Sequence, residues 1–83
     1  MYLRRIRDLR EDGDLYQREL AEYLGVDQST YSDYESGRIN IPVDMLLKLA
    51  DYYKVNLDYL VGRTDIRKQL PHSEYKSFRF YIK

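Results

Sequence analysis

The chain has 83 residues, 43% hydrophobic and 34% charged, with 14 basic and 14 acidic side chains, so it reads as one small globular domain of zero formal net charge. It has no cysteine and a single histidine, His72, which excludes disulfides, thiolate metal sites and paired-histidine metal sites; no apolar run exceeds three residues, too short to span a bilayer. The charge is uneven, because residues 1–62 carry 8 basic and 12 acidic groups, net −4, and residues 63–83 carry 6 and 2, net +4.

The first helix is expected over 2–12, where Leu3, Ile6 and Leu9 recur at helical spacing and the arginines face solvent; Gly13 and Asp14 end it. A second helix over 17–24 places Leu20, Ala21 and Leu24 on one face and stops at Gly25. Asp27 is a candidate N-cap for a third helix over 28–35, closed by Ser36-Gly37. Arg38 to Ile41 is a loop, and Pro42 suits the first turn of a fourth helix carrying Leu46, Leu49, Ala50 and Tyr53. Asn56 is the expected N-cap of a short fifth helix over 56–61, ended by Gly62. Val43, Leu47, Leu57 and Leu60 complete the expected apolar set, and Val55 is a connector. Short links between five helices predict a compact all-α domain. Beyond it, residues 63–73 read as a polar linker. Residues 75–83 alternate Phe78, Phe80 and Ile82 with Ser77, Arg79, Tyr81 and Lys83, a strand signal in a short basic C-terminal extension. A lone strand needs a partner. Two readings stay open: a loose or back-folded extension, and a strand that pairs across a dimer axis.

The informative stretch is QRELAEYLGVDQSTYSDYESG, residues 17–37. A helix, a tight turn at Gly25 and a second helix make a helix-turn-helix pattern. Val26, Tyr31 and Tyr34 face the core, which leaves Gln28, Ser29, Ser32 and Asp33 outward on the next helix. Such a helix fits the major groove, where glutamine pairs with adenine, serine bonds most base edges and aspartate accepts from cytosine N4.

The chain resembles the lambda-repressor-like, Cro/XRE-type helix-turn-helix domain over about residues 2–64. The resemblance is carried by Ile6-Arg7-x-Leu9-Arg10, Gln17-x-Glu19-Leu20-Ala21, Leu24-Gly25-Val26, Gln28-Ser29, Tyr34-Glu35-Ser36-Gly37 with Arg38, and Pro42. It continues through Leu49-Ala50, Val55 and Asp58-Tyr59-Leu60-Val61-Gly62. It implies a five-helix DNA-binding domain over 1–64, with the helix-turn-helix proper at 17–36 and an extension at 65–83. It further implies base reading by Gln28 and Ser29, joined by Ser32 and Asp33 on the same face. Phosphate contacts are implied at Gln17, with Ser36, Arg38 and Asn40 in a second clamp and Arg18 as a neighbouring cation. Arg10 and Glu35 match a structural ion pair. Two positions depart from the family pattern. Tyr16 stands where a Ser or Thr cap is favoured, with Glu19 able to supply half of a capping box. Asp33 puts a carboxylate near phosphates, so it either reads a cytosine or weakens binding.

The competing readings are structural. Tyr31, Tyr34, Tyr53 and Tyr59 fall on core-facing positions, whereas Tyr2, Tyr23 and Tyr52 fit either core or surface. The arginines of the first helix suit a solvated face. Glu19, Glu22, Asp44, Asp51 and Asp58 are scattered, and no catalytic set, phosphate loop or metal cluster is present. The expectation is therefore a non-enzymatic, sequence-specific transcriptional regulator of repressor type that occupies an operator. It would act as a homodimer on double-stranded DNA, with no cofactor, metal, small-molecule ligand or membrane. It would be cytoplasmic and nucleoid-associated in a prokaryote or phage. The alternative is a protein-interaction module of antitoxin or anti-repressor kind on the same scaffold, suited by the acidic body.

Overall fold

The computed structural model describes residues 1–71 and contains five α-helices: α1 (Arg4–Asp12), α2 (Gln17–Leu24), α3 (Gln28–Ser36), α4 (Val43–Tyr53) and α5 (Leu57–Leu60). The strand expected over 75–83 lies outside the described residues. No described helix is long and apolar enough to cross a membrane.

The core is one cluster to which every helix contributes. Ile6 and Leu9 come from α1, Leu20, Ala21 and Leu24 from α2, and Tyr31 and Tyr34 from α3. Leu46, Leu49 and Ala50 come from α4 and Leu60 from α5. Leu3, just before α1, and Ile41 and Val55, from connecting segments, are buried with them. Loop residues thus do core work here, because a five-helix domain this small has too few helical positions to enclose its own interior. The most extensive helix pairing is α2 with α3. Ala21 is buried between them, and Gly25 turns the chain at φ 75°, a conformation a side chain would strain. Gly37, at φ 81°, has a second constraint: a Cβ there would lie 3.0 Å from the backbone of Met1 and Tyr2.

Three expectations are corrected. Val43 and Leu47, assigned to the apolar set, are 65% and 40% exposed, since α4 turns Leu46, Leu49 and Ala50 inward. Asp27 occupies the N-cap of α3, but its side chain makes no capping bond. Arg5 is not on a solvated face. Its side chain is 25% exposed, and its guanidinium stacks 4.0 Å from the Tyr59 ring centroid and donates to the carbonyls of Tyr59 and Thr64 and to the Asp65 carboxylate. One arginine thereby ties α1 to the far end of the domain.

The segment expected as a linker is bonded to the body as far as Gln69. Asn56 N–H donates to the Arg67 carbonyl at 3.1 Å, and Val55 and Lys68 form an antiparallel bridge. The Asn56 side chain serves both elements. Its Oδ1 accepts from Tyr59 N–H at 2.6 Å, capping α5, while its Nδ2 donates to the carbonyls of Ile66 and Lys68. Asn56→Ala removes all three bonds. The expected loss is about 1–3 kcal/mol of unfolding free energy. Urea unfolding followed by circular dichroism measures it, and a loss below about 0.3 kcal/mol would show that the cap and the strap carry no stability.

Candidate nucleic-acid interface

The N-terminal turn of α3 presents polar side chains to solvent. Gln28 and Ser29 are exposed, and Ser32 and Asp33 are half-buried one turn later on the same side. The opposite side holds Tyr31, fully buried, and Tyr34. Two tyrosines therefore fasten a helix that is otherwise almost entirely polar, and this leaves its outer side free of apolar demands.

Beside that side lies a cleft lined by Tyr2, Arg7, Arg10, Gln17, Ser32, Glu35 and Ser36. It brings the start of α2 against the middle and end of α3. Glu35, 4% exposed, sits at its base. Arg10 grips the Glu35 carboxylate with two bonds, Nε to Oε2 at 2.8 Å and Nη2 to Oε1 at 3.1 Å. The same guanidinium donates to the Leu15 carbonyl at 2.9 Å. Tyr31 Oη donates to Oε2 at 2.7 Å, and Gln17 Nε2 donates to Oε1 at 3.2 Å. Burial by itself pushes the Glu35 carboxyl up, but the hydrogen bonds from Arg10, Tyr31 and Gln17 outweigh it and hold the group below its ordinary range. Burial and the bond to Glu35 push the Tyr31 hydroxyl far up.

Each residue expected at a phosphate has an intramolecular partner. Gln17 is held by Glu35. Arg18 lies 4.8 Å over the Tyr16 ring. Ser36 Oγ donates to the Asp33 carbonyl at 3.2 Å and accepts from Arg38 N–H at 3.3 Å. The Arg38 side chain reaches back to Asp33, Nε to Oδ1 at 3.7 Å. Asn40 Oδ1 accepts from the Met1 amino nitrogen at 2.8 Å. At the start of α2 the Tyr16 side chain makes no cap bond, but Tyr16 N–H donates to Glu19 Oε2 at 2.7 Å, half of a capping box.

From the sequence Tyr2 fits either core or surface and Arg7 a solvated face, yet both line the cleft beside Gln17 and Ser36. No spacing signal marks them. Tyr2 reaches it because Gly37 lets the N-terminal segment lie against the end of α3, and Arg7 projects from α1. Among the described residues no group of three or more His, Cys, Asp or Glu is placed to hold a metal.

Glu35 is depressed in the folded state, so its contribution to stability is fully present above the unfolded carboxyl value of about 4.3 and is lost as pH falls through the folded value. Glu35→Gln is expected to cost about 3 kcal/mol at pH 7, because Arg10 loses its buried counter-charge. It is also expected to flatten the fall in stability from pH 5 to pH 2. Thermal melts across that range check both effects, and parallel slopes for the two proteins would show that another group drives acid unfolding.

Comparison with known proteins agrees with the helix-turn-helix fold. A helix-turn-helix family model matches residues 6–60. Among similar proteins, the uncharacterized HTH-type transcriptional regulator YobD of Bacillus subtilis is 42% identical over 65 residues, covering 78% of this chain and 58% of that protein. The HTH-type transcriptional regulator ImmR of the same organism is 33% identical over 66 residues, 80% of this chain and 52% of that one. The cryptic phage CTXphi transcriptional repressor RstR of Vibrio cholerae is 38% identical over 65 residues, 78% and 59% of the two chains. A transcriptional regulator from Listeria innocua, known from a crystal structure, superposes with a TM-score of 0.65 at 25% identity, over 92% of this chain and 66% of that one. The matched region spans little more than half the length of the three relatives. The chain belongs to the Cro/XRE-type helix-turn-helix family, a family of non-enzymatic DNA-binding proteins.

Proposed function

We propose that the protein is a sequence-specific transcriptional regulator of repressor type, with residues 1–64 as its DNA-binding domain. One observation carries the reading: the exposed polar turn of α3 lies next to a cleft that joins the α2 start to the α3 end through Gln17, Ser32 and Ser36. Bases in the major groove would meet Gln28, Ser29, Ser32 and Asp33. Phosphates on either side would meet Gln17 and Arg18 at one edge, and Ser36, Arg38 and Asn40 at the other. Hydrogen bonds already orient several of these groups, so little side-chain freedom is lost on binding. The names of ImmR and RstR, a transcriptional regulator and a phage repressor, support the same reading.

Regulation would follow from occupancy of an operator, with no cofactor, no small-molecule ligand and no chemical step. The active form would be a homodimer in the cytoplasm, bound along the nucleoid, reading half-sites about 34–36 Å apart. Leu47, Leu57 and Leu70 line one apolar cleft, and Ile66 with Leu57 and Leu70 a neighbouring one. The exposed side chains of Leu47, Ile66 and Leu70 offer a second copy a surface to cover.

The acidic balance of residues 1–62 favours one other reading, a module that binds a basic protein. Selection from a random duplex pool at two salt concentrations separates the two. The expected result is a two-fold symmetric site, lost in the Gln28→Ala, Ser29→Ala double variant. Affinity should fall with salt as for about three to five phosphates per protomer. Gln28→Ala alone should relax preference at one base pair by about 1–3 kcal/mol. An absence of enrichment at either salt would transfer the assignment to the protein-binding module.

A further inference from the structure

We infer that Asp33 makes the backbone grip of Arg38 conditional on the base pair beneath it. The inference rests on α3 being the base-reading helix, and it assigns a specificity device within that reading.

Among the described residues, Asp33 and Arg38 are the one ion pair that joins a group expected at the bases to a cation expected at a phosphate. The turn after α3 enforces their proximity. Ile39 N–H and Ser36 Oγ both donate to the Asp33 carbonyl, and Arg38 N–H donates to Ser36 Oγ, so the loop folds back over the second turn of the helix. The pair itself is loose. Nε and Oδ1 are 3.7 Å apart, with the Arg38 side chain 78% exposed and that of Asp33 32%. An ion pair this open exchanges readily for another partner.

An ionised carboxylate only accepts hydrogen bonds, and a guanidinium only donates. In the major groove cytosine offers its N4 amine alone and adenine an N6 amine beside its N7 acceptor, whereas guanine and thymine edges offer acceptors. Over a cytosine, the Asp33 carboxylate takes the amine and releases Arg38 to the adjacent phosphate. Over guanine or thymine, the carboxylate meets a repelling edge and keeps Arg38, so neither contact forms. Base identity then changes how many phosphates the protein neutralises. Direct reading alone would change affinity without changing that number.

The slope of log affinity against log salt measures this number. The full chain is titrated over about 50–300 mM salt against the duplex most enriched from the random pool. The same titration is run on the three duplexes substituted at the base pair where Asp33→Asn loses selectivity. For the wild-type protein the slope is expected to be steeper on the cytosine duplex than on its guanine and thymine counterparts, by about 0.9 per protomer. Asp33→Asn should give one common steep slope, and it should bind a mixed-sequence duplex several-fold tighter than wild type. Arg38→Gln should give one common shallow slope. Arg38 is exposed and Asp33 is half-buried, and unchanged thermal melts of both variants confirm intact folds. Identical wild-type slopes on all four duplexes, or unchanged selectivity in Asp33→Asn, would overturn the inference while leaving operator binding in place. A pool with no enriched duplex would overturn both.

Discussion

The rest of this small domain depends on one buried carboxylate. Glu35 lies at 4% exposure and collects bonds from Arg10 on α1, Gln17 on α2 and Tyr31 on its own helix. A buried ion pair adds little net stability over an apolar packing of the same shape, but any arrangement that separates Arg10 from Glu35 leaves a buried charge uncompensated and is penalised. That selectivity is what the site needs. The helix-turn-helix hydrogen bonds and glycine turn set α3 against α2, while the Arg10 fork sets α3 against α1, fixing the third direction. The α3 helix has little apolar surface with which to do this by packing alone.

The polarity of α3 is thus both the functional asset and the structural problem. Gln28, Ser29, Ser32 and Asp33 supply donors and acceptors on the outside, and they leave Tyr31 and Tyr34 as the main apolar anchors inside. Tyrosine suits both demands: the ring fills the core, and the Tyr31 hydroxyl completes the Glu35 shell. The same economy recurs around α5 with Arg5 and Asn56. Each is a polar residue that bonds two backbone carbonyls at once, fastening α5 and residues 64–68.

Much of the fold was legible in the sequence, for local reasons. The helices of α1 to α5 start and stop where periodic apolar residues meet Gly13, Gly25, Gly37, Pro42 and Asn56, and these are properties of a few neighbouring residues. The outward set Gln28, Ser29, Ser32 and Asp33 was legible for the same reason, because helical spacing separates it from Tyr31 and Tyr34. Val43 and Leu47 were misplaced because α4 carries more apolar residues than one face can bury, and spacing alone does not say which face wins.

The sequence by itself determined the element order, the turn chemistry and the exposed polar side of α3, since each depends on residues within about one helical turn of one another. Only the tertiary structure decided the burial of Ile41, the Arg5 clamp across about sixty residues, and the placing of Tyr2 and Arg7 at the cleft. The same holds for the pairing of Asp33 with Arg38, whose side chains meet because a three-bond turn folds the loop back over the helix. Charge pairing and loop burial depend on which distant segments share space, and periodicity carries no information about that.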